Sequence, residues 1–220
     1  MKLLTALILL FFATANLFAQ EKLVATKIDA KQLPVGIKYE GKLKSATRWT
    51  DANGDNIALI TETGAHQSTK FKHDSYDGQD AELFAYHFKM ENGKPKLLWK
   101  VYDFVSDCPL DLTASFDDFH ITDIDKNGTA EVWMLYKTAC RGDVSPAEMK
   151  LIMYENGKKH AMRGTEKILQ GIDENGTKSY DGGEYKFDPA FTSAPESFRT
   201  HALKQWNNYM NASGTEGKKL

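Results

Sequence analysis

The chain lacks the features of a membrane-spanning or nucleic-acid-binding protein. Its longest apolar run, residues 3–13, is shorter than the roughly 18 residues that a spanning helix needs. Its 28 lysines and arginines are balanced by 30 acidic residues, giving a net charge of −2. A basic surface for nucleic acid is therefore not predicted. The sequence also contains no P-loop, dinucleotide fingerprint, G-x-S-x-G elbow or H-E-x-x-H motif.

The short apolar run has the form of a secretory signal. Lys2 precedes it, and Leu17-Phe18-Ala19 before Gln20 forms a small-residue cleavage site. We predict a signal peptide over residues 1–19, with a retained anchor as the alternative. The mature chain would then reach the periplasm, the cell surface or the medium, with no transmembrane span.

Cysteine is scarce, since the chain has only Cys108 and Cys140. In an oxidising compartment an even pair usually closes, so we predict one disulfide, with two buried free thiols as the alternative. The chain-entropy model gives such a bridge about 3 to 4 kcal/mol. The bridge would enclose residues 123–131 and is expected to preorganise them.

The pattern from residue 49 to 162 is that of short strands. Apolar and polar residues alternate, with Gly, Asn and Asp between the runs. Two Glu-Asn-Gly-Lys tips, 91–94 and 155–158, predict hairpins. Each follows an Asp-x-Asn-Gly loop, at 51–54 or 125–128, which runs into a strand. We predict a mainly β, antiparallel fold with two blade-like repeats, propeller-like or sandwich, whose Asp-x-Asn-Gly loops follow the same backbone path.

The remaining segments divide the chain further. We predict an N-terminal segment over 20–47, a β domain over 48–192 with repeats at 48–104 and 121–163, and a flexible tail over 212–220. Residues 173–184 are expected to be irregular. A helix is predicted over 193–211, with a capping box from Ser193 to Glu196. Its apolar face comprises Phe198, Ala202, Trp206 and Tyr209.

Residues 123–131 carry the pattern of a calcium loop. Side-chain oxygens of Asp123, Asp125 and Asn127, the carbonyl of Thr129 and the carboxylate of Glu131 would supply about five of the six to eight ligands that Ca²⁺ takes. The alternative is an ordinary strand-connecting turn, which has the same composition. If calcium binds, its expected role is structural.

Other chemistry-bearing residues have less specific patterns. Two of five aspartates, Asp103, Asp107, Asp111, Asp117 and Asp118, could serve a glycosidase as acid and nucleophile or base, although solvated acids are the plainer reading. The six histidines show no metal-ligand spacing and are interpreted as surface or packing residues. The four tryptophans fit either a platform for sugar rings or the core.

The loop from Asp123 to Glu131, followed by an apolar strand, resembles the calcium loops of FG-GAP and VCBS-type β-propeller repeats. In the first copy, Trp49 and Ile57 replace the first and last acids, so that copy is expected to bind metal weakly or not at all. More broadly, the chain resembles a family of small secreted bacterial proteins associated with surface-polysaccharide biosynthesis. The segments that carry this resemblance are 107–109, 121–125 and 140–146.

The sequence thus predicts an exported, non-enzymatic binding or structural protein of the cell envelope. Calcium would stabilise it, and its partner would be a surface glycan or an envelope protein. The alternative is a polysaccharide-active hydrolase. A hydrolase needs a cleft with converging carboxylates, whereas a binding module would show a shallow face with exposed aromatics.

Overall fold

A computed structural model describes residues 23–214 of the chain, with side chains as far as Met210. The predicted signal peptide lies outside the described residues. The fold is mainly antiparallel β with a C-terminal helix, as predicted. Two five-stranded sheets make up most of it.

The first sheet has the strand order β1-β2-β3-β4-β5. Its strands are β1 (Ala25–Ile28), β2 (Lys42–Asp51), β3 (Gly54–Glu62), β4 (Gln79–Glu91) and β5 (Lys94–Cys108). A short 3-10 helix, Ala30–Gln32, lies between β1 and β2.

The second sheet has the strand order β12-β9-β8-β7-β6. Its strands are β6 (Asp111–Thr122), β7 (Glu131–Arg141), β8 (Glu148–Glu155), β9 (Lys158–Thr165) and β12 (Tyr185–Phe187). A separate hairpin, β10 (Lys167–Ile172) with β11 (Lys178–Gly182), precedes β12. Helices α1 (Pro189–Thr192) and α2 (Glu196–Gly214) follow it.

Each sheet contains a four-stranded meander, β2 to β5 in one and β6 to β9 in the other. Both Glu-Asn-Gly-Lys tips are tight hairpin turns, because Asn92, Gly93, Asn156 and Gly157 all have φ between 46° and 75°. The connection between the second and third strands covers 63–78 in the first meander and 142–147 in the second. The two meanders therefore share one strand order and differ in the lengths of their connections.

The two sheets pack face to face over a shared apolar core. Trp49 and Trp99 of the first sheet belong to the same buried cluster as Val132, Met134 and Tyr154 of the second. The rings of Trp99 and Tyr154 stack at 4.2 Å between centroids. All four tryptophans are at least nine-tenths buried, so they form core and not a platform for sugars.

The outer face of each sheet has a different cover. Helix α2 lays Phe198, Ala202, Trp206 and Met210 on the second sheet, around Trp133 of β7. The segment between β1 and β2 partly covers the first sheet, where Tyr39 packs near buried rings of β4. Among residues 23–214, the structure contains no helix that is both long and apolar enough to cross a membrane.

Two local predictions were wrong. Residues 173–184, expected to be irregular, include β11 and the turn before it, in which Asp173 accepts hydrogen bonds from the backbone of Asn175 and Thr177. Most of β11 is exposed, so it lacks the alternating pattern of a half-buried strand. Ser193 ends α1 instead of starting the long helix, because Asp188 and Pro189 begin a separate short helical turn.

The predicted disulfide between Cys108 and Cys140 is present, with 5.6 Å between the Cα atoms. It joins the end of β5 to the end of β7 and so ties one sheet to the other. The loop over 123–130 precedes the opposite end of β7, and the ten residues from Glu131 to Cys140 span about 30 Å of strand. The bridge therefore lies far from the loop along β7, and its expected effect on the loop stays a prediction.

Candidate metal centre

The predicted calcium loop connects β6 to β7. The strands pair up to Thr122 and Glu131, and residues 123–130 form the loop between them. Lys126 and Gly128 adopt positive φ values of 59° and 84°, which fold the loop back on itself. The chain reversal brings the acids at both ends of the loop together.

Three of the predicted ligands converge. One carboxylate oxygen from each of Asp123, Asp125 and Glu131 lies within 4.8 Å of the other two. Glu131 is fully buried and accepts hydrogen bonds from the Thr122 hydroxyl at 2.5 Å and from the Ile124 backbone N–H at 2.9 Å. The Ile124 N–H also reaches the second Glu131 oxygen, at 3.0 Å.

Asn127, a fourth predicted ligand, is oriented away from coordination. The Asn127 side chain turns its nitrogen toward the acids, donating to Asp125 at 3.0 Å and to Glu155 at 2.7 Å. Its oxygen accepts from the Thr129 backbone N–H at 2.7 Å. Coordination by the Asn127 oxygen would require this amide to rotate by 180°.

Sequence reasoning missed two acidic residues at this site. Glu155 precedes the second Glu-Asn-Gly-Lys turn, and the register of β7 with β8 places it opposite Glu131. Asp51, from the first Asp-x-Asn-Gly loop, accepts a hydrogen bond from the Ala130 backbone N–H at 3.1 Å. Glu155 reaches the site through strand pairing and Asp51 through the packing of the two sheets, and a single sequence gives no direct signal for either.

The first loop braces the second and has a different backbone path. Asp51 pairs with Gly54, so β2 and β3 are joined by a two-residue turn where the second copy has a long loop. The Ala52 backbone N–H donates to the Gly128 carbonyl at 2.8 Å. Trp49 is buried and its indole N–H donates to Asp51, the last residue of β2, at 2.9 Å. The expectation that the two loops follow one path is therefore wrong.

The electrostatics of the loop favour a cation. Burial raises the pKa of Glu131. Burial also raises the pKa of Glu155, and the nearby carboxylates of Asp125 and Asp123 add to that rise. Within residues 23–214, no lysine or arginine forms a salt bridge with Asp125, Glu131 or Glu155. All the donor atoms are oxygens, which suits a hard cation such as Ca²⁺.

The five aspartates considered for glycosidase chemistry have separate tasks. Asp103 accepts from the Tyr136 hydroxyl and pairs with Lys150 at 2.6 Å. Asp107 accepts from the backbone of Asp74 and Ser75, and these bonds lower its pKa. Asp118 pairs with His120 at 2.9 Å. Burial raises the pKa of Asp117, whereas Asp111 is exposed at the start of β6.

The outer side of the first sheet carries an aromatic row, which we call the outer aromatic face. It consists of Tyr102 and Phe104 of β5, Phe84 of β4 and Phe71 of the connection between β3 and β4. Neighbouring rings stack at 4.8 to 5.5 Å between centroids. Tyr102 is 44% exposed and Phe104 43%, whereas Phe84 is buried. The two exposed rings distinguish this face from the buried tryptophans.

Charged groups border this face. The Tyr102 hydroxyl donates to Glu82 at 3.0 Å, and burial together with this bond raises the pKa of Tyr102 to about 12. Lys70 bridges Glu82 and Glu40, at 2.9 Å to each. Lys100 lies over the Phe84 ring at 4.8 Å and also pairs with Glu40. The face therefore combines exposed rings with donors and acceptors.

No known protein-family model, curated protein or solved structure matches this chain. The resemblance to propeller calcium loops therefore stays a prediction that rests on the loop sequence.

Proposed function

We propose that this chain is an exported, non-enzymatic binding protein of the cell envelope, stabilised by calcium and binding surface glycan through its outer aromatic face. The observation that carries the proposal is the convergence of the Asp123, Asp125 and Glu131 carboxylates within 4.8 Å. The signal-like sequence of residues 1–19 supports export, and the disulfide is compatible with an oxidising compartment.

Calcium has a structural task at this position. Asp123, Asp125 and Glu131 would supply oxygen ligands, with water completing the shell. The ion would offset the mutual repulsion of the carboxylates, which otherwise opposes their approach. Because Asp51 of the first sheet bonds to the same loop, an ordered loop also holds the two sheets together.

Glycan binding is supported by the form of the outer aromatic face. Tyr102 and Phe104 offer flat apolar surface, while Lys70, Lys100 and Glu40 offer polar contacts beside it. Aromatic rings bury a large area at a low entropic cost, which suits contact with the apolar side of a sugar ring. A shallow face of this kind was the feature expected of a binding module.

Binding is favoured over hydrolysis because most candidate acids are already engaged. Asp103 forms an ion pair with Lys150, and Asp107 accepts a hydrogen bond from the backbone N–H of Asp74. Burial gives Asp117 the raised pKa that a general acid needs. A glycosidase requires a second carboxylate at a defined distance across a cleft, and Asp118 is bonded to a histidine.

The calcium site is tested by thermal unfolding of the mature protein in calcium and in chelator. Calcium at about 100 times its dissociation constant should add about 2.7 kcal/mol. Asp125→Ala should abolish this increment. Asp173→Ala is the matched control, because Asp173 opens the same Asp-x-Asn-Gly motif in an exposed turn. Identical wild-type melting curves in calcium and chelator would disprove the site.

The binding face is tested with a glycan array and a hydrolysis screen of the same protein. Tyr102→Ala and Phe104→Ala should each weaken glycan binding without product formation. Tyr180→Ala is the control, since Tyr180 is 40% exposed on β11, outside the first sheet. Release of reducing ends by the wild type, lost in Asp117→Asn, would favour the hydrolase instead.

A further inference from the structure

A cluster of three nitrogen-bearing side chains lies between β6 and α2, apart from the sites described above. His120 Nε2 lies 3.1 Å from His201 Nε2. The side-chain nitrogen of Gln205 lies 2.5 Å from the first of these atoms and 2.6 Å from the second. His201 and Gln205 are four residues apart, so they share one face of α2.

A carboxylate orients the His120 ring. Its Nδ1 atom lies 2.9 Å from Asp118 Oδ2. A carboxylate oxygen accepts hydrogen bonds, so Nδ1 donates in this contact. The other ring nitrogen, Nε2, then faces His201 and Gln205.

Hydrogen bonds alone leave this cluster crowded. If each ring accepts one Gln205 amide hydrogen, the two Nε2 atoms lie 3.1 Å apart with no hydrogen between them. If one ring donates to the other instead, the donating nitrogen has no lone pair left for the Gln205 amide, which lies within 2.6 Å of both rings. A cation with affinity for imidazole would be held by both lone pairs.

We propose that His120 and His201, with the Gln205 side-chain oxygen as a third ligand, form a site for a divalent transition-metal ion such as Zn²⁺. Two nitrogens bound tetrahedrally to zinc at 2.0 to 2.1 Å lie about 3.3 Å apart, close to the separation in this structure. Gln205 presents its oxygen once its amide rotates by 180°. The His120 side chain is 27% exposed, so water can complete the shell.

The surroundings match those of a metal-bound histidine. A histidine ligand commonly donates its second ring nitrogen to a carboxylate, which fixes the tautomer and strengthens the metal bond. Asp118 stands in that position for His120. The ring of Trp133 lies parallel to His120 at 6.2 Å and 4.7 Å from His201, so both imidazoles rest on a buried surface.

This site is distinct from the proposed calcium site in chemistry and consequence. Its principal donors are imidazole nitrogens, which suit zinc, copper or nickel and not calcium. A bound ion would tie α2 to β6, whereas the calcium loop links β6 to β7. The two proposals can therefore fail independently.

The test is zinc titration by calorimetry at pH 7.5, using untagged mature protein freed of metal and kept in excess Ca²⁺. We expect one equivalent of Zn²⁺ to bind, and His120→Gln and His201→Gln each to abolish that binding. Asp118→Asn keeps the shape of the side chain but weakens the orientation of His120, so zinc affinity should fall about 10- to 100-fold. His66→Gln, which removes a histidine of the first sheet, and Asp125→Ala should leave it unchanged.

Thermal unfolding supplies a second readout. Zinc should raise the melting temperature of the wild type and of Asp125→Ala, and should not raise that of His201→Gln. A wild type that takes up no zinc would overturn the proposal. Equal zinc affinity in the wild type and both histidine variants would also overturn it. A loss of zinc binding in Asp125→Ala with no loss in His201→Gln would place the zinc in the acidic loop and overturn the histidine site.

Discussion

Removal of the disulfide tests whether the bridge and the calcium loop, which lie at opposite ends of β7, stabilise the protein independently. The Cys108→Ser and Cys140→Ser double variant opens a loop whose ends are 32 positions apart. The chain-entropy relation assigns such a loop about 4 kcal/mol of the free energy of unfolding at 25 °C. Calcium at about 100 times its dissociation constant adds about 2.7 kcal/mol.

The two effects are expected to add, because about 30 Å of strand separates the bridge from the acidic loop. Distant sites without shared partners are additive within roughly 0.5 kcal/mol. Urea unfolding of the wild type and the double variant, each in calcium and in chelator, gives the four free energies required. The calcium increment should be the same in both proteins. A smaller increment in the double variant, by more than about 1 kcal/mol, would refute this reasoning and support the idea that the bridge preorganises the loop.

Three further predictions follow from burial and charge. Because the pKa values of Glu131 and Glu155 are raised, these carboxyls hold protons more tightly in the folded, calcium-free protein than in the unfolded chain. The free energy of unfolding in chelator should therefore fall as pH rises above about 4.5. The difference in melting temperature between calcium and chelator should widen toward pH 7. A gap independent of pH would count against these carboxylates as ligands. Burial lowers the pKa of His87 to about 4, so below about pH 6.5 the unfolded chain binds a proton at His87 and the folded chain does not. The wild type therefore loses unfolding free energy between pH 7 and pH 4, and in His87→Phe this loss should be smaller by about 3 kcal/mol. Parallel pH profiles of the two proteins would contradict it. A Cβ at Gly164 would lie 1.9 Å from the Glu184 carbonyl oxygen, whereas one at Gly171 would meet only a side-chain oxygen at 3.8 Å. Gly164→Ala should therefore lower the unfolding free energy by about 1 to 3 kcal/mol, and Gly171→Ala by much less. Equal denaturation midpoints for the two variants would show that the edge strand β12 moves aside freely.

The sequence was informative wherever the signal is local. The two Asn-Gly turns determined both hairpins, because few other residue pairs tolerate positive φ at two adjacent positions. Alternation of apolar residues indicated the strands, and the even cysteine pair indicated the bridge. The spacing of Asp123, Asp125 and Glu131 likewise predicted a cluster that the chain reversal brings together.

Tertiary structure alone decided which distant residues meet. Glu155 joins the acidic cluster through the register of β7 with β8, and Asp51 reaches it across the two sheets. His120 and His201 are 81 positions apart and come together only because α2 packs on the second sheet. Spacing rules apply to residues that share one helix, strand or loop, whereas these contacts depend on sheet register and on how the helix packs. For that reason the histidines could be interpreted as ordinary packing residues from the sequence, while the fold places two imidazole nitrogens 3.1 Å apart.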